Sequence, residues 1–193
     1  MGRKSSTVIM LTMKNHILLA HSLWSGHLAP DGLAVDATCG NGHDTLVLSR
    51  MLPKGKVFAF DIQKQAIENT RLLLEEHKTL DRVELFQQSH AEWKGEFEPP
   101  HLIVYNLGYL PRSDKIITTL VETTIKSVQT GLEILLDGGA LSIMCYPGHA
   151  EGEREEKALL DFLSTLPSSE WTVCHHHFPN RPKSPSLFWV LNS

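Results

Sequence analysis

The chain has 193 residues, 41% of them apolar and 21% charged, which fits one globular core and excludes a disordered or fibrous chain. A formal net charge of −4 excludes binding to nucleic acid by overall charge, so any RNA contact needs a local basic patch. The three cysteines, Cys39, Cys145 and Cys174, are an odd number without close pairing; this speaks for a reducing compartment, and a cytoplasmic protein is expected.

The apolar runs Val8–Leu11 and Ile17–Ala20 are too short to span a bilayer, and no cleavage site makes the first a signal peptide. No membrane association is expected. Residues 1–12 read as an extension, since Met13 is an equally good start, and residues 13–193 as one domain. Leu33–Ala37 is a short apolar run closed by turn residues, the pattern of a buried parallel strand. Thr45–Leu52 then reads as a helix, stopped by Pro53. Lys56–Phe60 is a second strand, Gln63–His77 a helix rich in Ala, Leu, Glu and Gln, and Val83–Phe86 a third strand. After the breaker Pro99-Pro100 comes a fourth strand, His101–Tyr105, and then a long helix from about Asp114 to Leu136.

Gly138-Gly139 turns into a fifth strand, Ala140–Cys145. Glu151–Leu166 is a charged helix closed by Pro167, whose Glu153, Glu155, Glu156 and Asp161 read as a solvated face. Trp171–Phe178 and Ser186–Leu191 flank a Pro-rich turn and read as a hairpin at the sheet edge. The alternation predicts an α/β fold: a mostly parallel sheet, helices on both faces, and an antiparallel C-terminal hairpin.

The first strand runs into Asp36-Ala37-Thr38-Cys39-Gly40-Asn41-Gly42-His43-Asp44-Thr45, directly before a helix. Glycines there let the backbone approach a ligand, and the helix N-terminus offers free amides. Some twenty residues on, the second strand ends in Asp61-Ile62-Gln63. An acid at that place accepts hydrogen bonds from the ribose hydroxyls of an adenosine-containing ligand, or caps the next helix, and the two roles are compatible. The position three after Gly42 is Thr45, so the dinucleotide fingerprint Gly-x-Gly-x-x-Gly is incomplete. Asp36 suits a cationic ligand better than a pyrophosphate. The cofactor expected is therefore S-adenosyl-L-methionine, held by Asp36, Cys39, Gly40, Asn41, Gly42, Asp44, Thr45, Asp61, Ile62 and Gln63. The fourth strand ends in Asn106-Leu107-Gly108-Tyr109-Leu110-Pro111, beside the first strand's loop, so Asn106 also faces the cofactor.

These stretches, with Ser89-His90, Tyr146-Pro147-Gly148-His149, Glu151-Gly152, Asn180 and Pro185, make the chain resemble the small class I methyltransferases of the putative rRNA methylase family. That family includes the bacterial methyltransferase of tRNA 5-aminomethyl-2-thiouridine. The resemblance implies a Rossmann-like class I methyltransferase fold, and an RNA substrate, the tRNA anticodon loop, methylated on the 5-aminomethyl nitrogen of the wobble uridine. It departs from the family at Arg112-Ser113 and Ala150, in the region expected to meet substrate. Within it, Asn106 presents the amine, Tyr109 stacks on or walls in the base, and His149 or Tyr146 takes the proton. Ser89 and His90 are assigned to the adenine pocket. Tyr109, Arg112, Lys115, Tyr146, His149 and Arg181, with Lys183, are the substrate contacts.

Other readings stay open: methylation of rRNA, a small molecule or a protein; a nicotinamide-dependent oxidoreductase; a module that only binds. His175-His176-His177 has no partner at zinc-like spacing, and no metal is expected. Trp171, Phe178, Phe188 and Trp189 read as edge-strand packing or as a homodimer contact.

Overall fold

The computed structural model of the protein describes residues 16–92, 98–108, 119–181 and 183–193. The expected extension 1–12 and the substrate candidates Tyr109, Arg112 and Lys115 lie outside these residues. In chain order the elements are α1 (His16–His27), β1 (Leu33–Asp36), α2 (His43–Met51), β2 (Lys56–Asp61) and α3 (Lys64–Glu76). After a 3-10 turn at Leu80–Arg82 come β3 (Val83–Gln87), β4 (Leu102–Asn106), α4 (Val121–Ile134), β5 (Ala140–Cys145), α5 (Ala150–Leu163), β6 (Trp171–His176) and β7 (Ser186–Asn192).

The strands form one seven-stranded sheet in the order β3-β2-β1-β4-β5-β7-β6. The pairs from β3 through β5 are parallel, and β7 runs antiparallel to both β5 and β6. Central strands are apolar on both faces because helices cover both: every residue of β5 is buried, as a doubly covered strand requires. On one face Ala20 and Trp24 of α1, Leu46 and Leu48 of α2, and Ile67 and Leu74 of α3 pack over Ala34, Val104 and Met144. On the other, Val128 of α4 and Leu159 and Leu163 of α5 pack over Ile103, Tyr105, Leu141 and Phe188. Each fully buried Leu, Ile or Phe contributes about 1.5–3 kcal/mol, so these layers carry most of the fold's stability.

Three features differ from the sequence reading. Helix α1 was not anticipated, because its apolar residues surround the axis: Ala20 and Trp24 are buried, yet Ile17 and Leu18 stand exposed, which blurs the helical period. The C-terminal hairpin is present, but its second strand lies inside the sheet, between β5 and β6. Phe188 is accordingly a fully buried core residue rather than an edge or dimer contact. Thirdly, α5 is not solvated all round. Glu155 is buried and accepts hydrogen bonds from Thr124 Oγ1 at 2.7 Å and Thr119 Oγ1 at 2.8 Å, while Glu156 bonds Ser186 Oγ and lies 3.4 Å from His175 Nε2. Among the described residues, no helix is long and apolar enough to cross a membrane.

Candidate active site

The strand order reverses direction between β1 and β4, and at such a switch point the loops beyond the strand ends part to leave a crevice. The loop after β1 is folded tightly into it. Cys39 N–H donates to Phe60 O at 2.9 Å and Gly42 N–H to Cys39 O at 2.8 Å. Gly40 and Gly42 have φ of 53° and 81°, the left-handed region that glycine enters without penalty. A Cβ on Gly42 would fall 2.9 Å from Thr70 Cα, so α3 closes on the loop only because that position is glycine.

Asp36 braces the loop from below. It is 1% exposed, and its carboxylate accepts the Thr45 hydroxyl at 2.6 Å and Thr38 N–H at 3.2 Å. Burial first, and Asp44 second, push its pKa up to about 7. Cys39 turns its thiol inward toward Thr70 Oγ1, 3.7 Å away, and Asn41 Oδ1 accepts from Asn69 Nδ2 at 2.9 Å. Asp36, Cys39 and Thr45 thus hold the loop's shape, whereas Gly40, Asn41 and Asp44 lie nearer its outer side.

At the end of β2, Asp61 accepts Gly40 N–H at 3.0 Å and Gln63 N–H at 2.8 Å. The carboxylate ties the two loops together just ahead of α3, and each oxygen keeps a second lone pair for a diol. Burial raises its pKa while these backbone hydrogen bonds oppose the rise. Ile62, beside it, is 62% exposed, a flat apolar surface next to a hydroxyl acceptor. Ser89 Oγ accepts Ala91 N–H at 3.2 Å. His90 Nε2 is buried without a hydrogen-bond partner among the described residues, and burial lowers the ring's pKa to about 4, keeping it neutral. An exposed apolar face, a carboxylate and an unpartnered ring nitrogen together fit an adenosine group.

Asn106, on the last residue of β4, is held from several sides. Its N–H donates to Thr38 Oγ1 at 2.7 Å, and its Nδ2 donates to Asp44 Oδ2 at 2.9 Å. Its side chain is also hydrogen-bonded to Tyr146, whose phenol burial pushes up to about 12. Asp44 Oδ1 in turn meets His21 Nε2 of α1 at 2.8 Å. His149 caps α5: its Nδ1 accepts Gly152 N–H at 3.1 Å. The Nδ1 lone pair of His149 is thus engaged by the start of α5, and burial favours the protonated Tyr146 phenol, so neither atom is placed as the proton acceptor the sequence suggested. At Gly152 a Cβ would lie 2.1 Å from Tyr146 O, so the helix start can press against this loop only with glycine there.

The two ends of the segment beyond β4 are pinned to each other. Gly108 N–H donates to Thr119 Oγ1 at 2.9 Å, Thr119 N–H to Gly108 O at 3.1 Å, and buried Glu155 holds that same hydroxyl. Arg181 lies over the Phe178 ring, 5.5 Å from its centroid, and Phe178 packs edge-on to His16 at 4.6 Å. The chain at Lys183 passes close to Gly148. The structure thus gathers the glycine loop, Asp61, His90, Asn106, Tyr146 and His149 at one sheet edge. Thr38 and Glu155 support them from within, and His21 joins them from a position that no motif marked. His175 stacks on Phe188 at 4.1 Å and on His177 at 5.1 Å, and no set of three metal-ligating side chains occurs among the described residues.

The family described as "Putative rRNA methylase" matches residues 57–192. The chloroplastic tRNA (mnm(5)s(2)U34)-methyltransferase of Arabidopsis thaliana is 36% identical over 203 residues, spanning 98% of this chain and 70% of that protein. The crystal structure of a putative rRNA-methylase from Clostridium thermocellum superposes with a TM-score of 0.88 at 33% identity, covering 92% of this chain and 97% of that one. A "putative methyltransferase" from Streptococcus mutans in complex with SAH gives 0.83 at 35% identity, with the same two coverages of 92% and 97%.

Proposed function

This chain belongs to the Putative rRNA methylase family and is an S-adenosylmethionine-dependent methyltransferase, and from that premise we propose that it methylates the 5-aminomethyl nitrogen of the tRNA wobble uridine. One domain, residues 13–193, carries the activity. The observation that carries the substrate assignment is the 36% identity, over 98% of this chain, to a tRNA (mnm(5)s(2)U34)-methyltransferase. The disposition of Asn106 supports it chemically.

S-adenosylmethionine supplies an electrophilic methyl group. Asp61 would receive the ribose hydroxyls, and Ile62 and His90 would flank the adenine. The acceptor is an alkyl amine, which attacks only as the neutral species. Asp44, being a carboxylate, orients the Asn106 amide with Nδ2 toward itself, so Asn106 Oδ1 is the atom that accepts from the amine and aims its lone pair. The amine's proton leaves to solvent. Catalysis is mainly positioning, an effect that can contribute about 7–11 kcal/mol when the reacting groups are well aligned. A wobble base lies in a single-stranded loop, so reaching it requires little unpairing.

The test is single-turnover transfer of labelled methyl to tRNA bearing 5-aminomethyl-2-thiouridine, with nucleoside analysis of the product. Label on the wobble nucleoside supports the assignment, and Asn106→Ala should abolish turnover while still binding S-adenosylmethionine. Label on ribosomal RNA instead, with none on tRNA, overturns the substrate reading.

A further inference from the structure

His21 belongs to no motif, yet its helix delivers it to the cavity that Asp44 and Asn106 also line. Trp24, one turn on and 3% exposed, anchors that helix against the sheet and meets the His21 ring at 4.7 Å between centroids. The imidazole thus has a fixed backing on its own helix. Its Nε2 lies 2.8 Å from Asp44 Oδ1, while Asp44 Oδ2 takes the Asn106 amide at 2.9 Å. One carboxylate bridges a ring on α1 and an amide on β4. A carboxylate has no hydrogen to give, so both neighbours must donate. The imidazole therefore carries its hydrogen on Nε2, and Asn106 turns its NH2 group toward Asp44 and its oxygen away.

Without His21, one oxygen of a partly exposed carboxylate loses its partner. Asp44 then turns more freely, and the amide it holds turns with it. We infer that His21 is a positioning residue for methyl transfer, acting through Asp44 to keep the Asn106 oxygen toward the acceptor amine. The inference rests on the reading of Asn106 as the group that presents the amine.

The experiment compares His21→Ala, His21→Gln and Asn106→Ala in the full chain. Readouts are kcat and KM for the tRNA, the Kd for S-adenosylmethionine, and the melting temperature. Glutamine carries an N–H donor at about the reach of Nε2 but takes up no proton at neutral pH. His21→Ala should lower kcat by about 10- to 100-fold, the scale of a misplacement near 1 Å, with cofactor Kd within about twofold. His21→Gln should recover most of the lost kcat. In an Asp44→Asn background, His21→Ala should have little further effect, because the two act as one unit.

If His21→Ala turns over like the parent, the inference is wrong. If Ala and Gln are equally inactive while both stay folded, His21 takes part in proton transfer instead, and the positioning role is also overturned. An active Asn106→Ala would remove the underlying reading of Asn106, a result distinct from either of these.

Discussion

Replacing Asp36 by Asn should flatten a large part of this protein's dependence of stability on pH. Asp36 is sealed beneath the glycine loop at 1% exposure, and burial followed by the neighbouring Asp44 charge lifts its pKa from 3.8 to about 7. The hydrogen bonds from Thr45 and Thr38 pull the other way without winning. A raised carboxyl pKa means that the folded chain keeps a proton the unfolded chain has already released. The stability this provides is complete below about pH 4 and is lost progressively as pH rises to about 7. Three pKa units at 1.36 kcal/mol each set a ceiling of about 4 kcal/mol.

Asparagine has nearly the same shape, accepts Thr38 N–H through its oxygen and needs no ionisation. Urea unfolding of both chains at intervals from pH 4.5 to 7.5 measures the difference directly. The other titrating groups cancel in the subtraction. The two stabilities should converge at the acid end, and the variant should gain steadily on the parent toward neutrality. Parallel curves would refute the account and return Asp36 to an ordinary carboxylate.

Gly42→Ala should destabilise by about 2–4 kcal/mol, adding a left-handed backbone penalty to overpacking against Thr70, as denaturant titration would report. Glu155→Ala should cost about 2–3 kcal/mol by stranding the Thr119 and Thr124 hydroxyls. Glu155→Gln should recover most of the melting temperature, since burial already raises the Glu155 pKa toward the neutral form. His149→Ala should lose about 1 kcal/mol of helix capping and leave the shape of the pH–rate profile unchanged. A lost limb in that profile would restore His149 as a proton acceptor.

Much of the architecture was legible because its signals are local. The runs LAVD, VFAF, LIVY and ALSIMC are apolar without alternation, and buried parallel strands have that composition. The glycine loop and Asp61 announce themselves by spacing, since a turn with positive φ and an acid at a strand end each demand particular residues. The family could be read from motifs spread over most of the chain. What stayed hidden depends on tertiary context. Glu155 sits in the run EGEREE, where nothing distinguishes the carboxylate that turns inward from those that face water. His21 has no neighbour in sequence that hints at Asp44, and the histidines and leucines around it dilute the period of α1. The order of the last two strands was equally beyond reach, because a hairpin pattern says which strands pair but not which one lies inside.

That order bears on biosynthesis. Strand β6 is made before β7, and among the described residues it pairs with β7 alone. A nascent chain emerging from the ribosome therefore carries a bare flank on β5 until the Ser186–Asn192 segment is released, and only then can it slot into place and bring β6 with it. During that interval the hydrogen-bonding edge of β5 is open to pairing with other chains, the usual starting point for aggregation. Production of this protein should thus be sensitive to translation that stalls or stops before Asn192, and to chaperone supply.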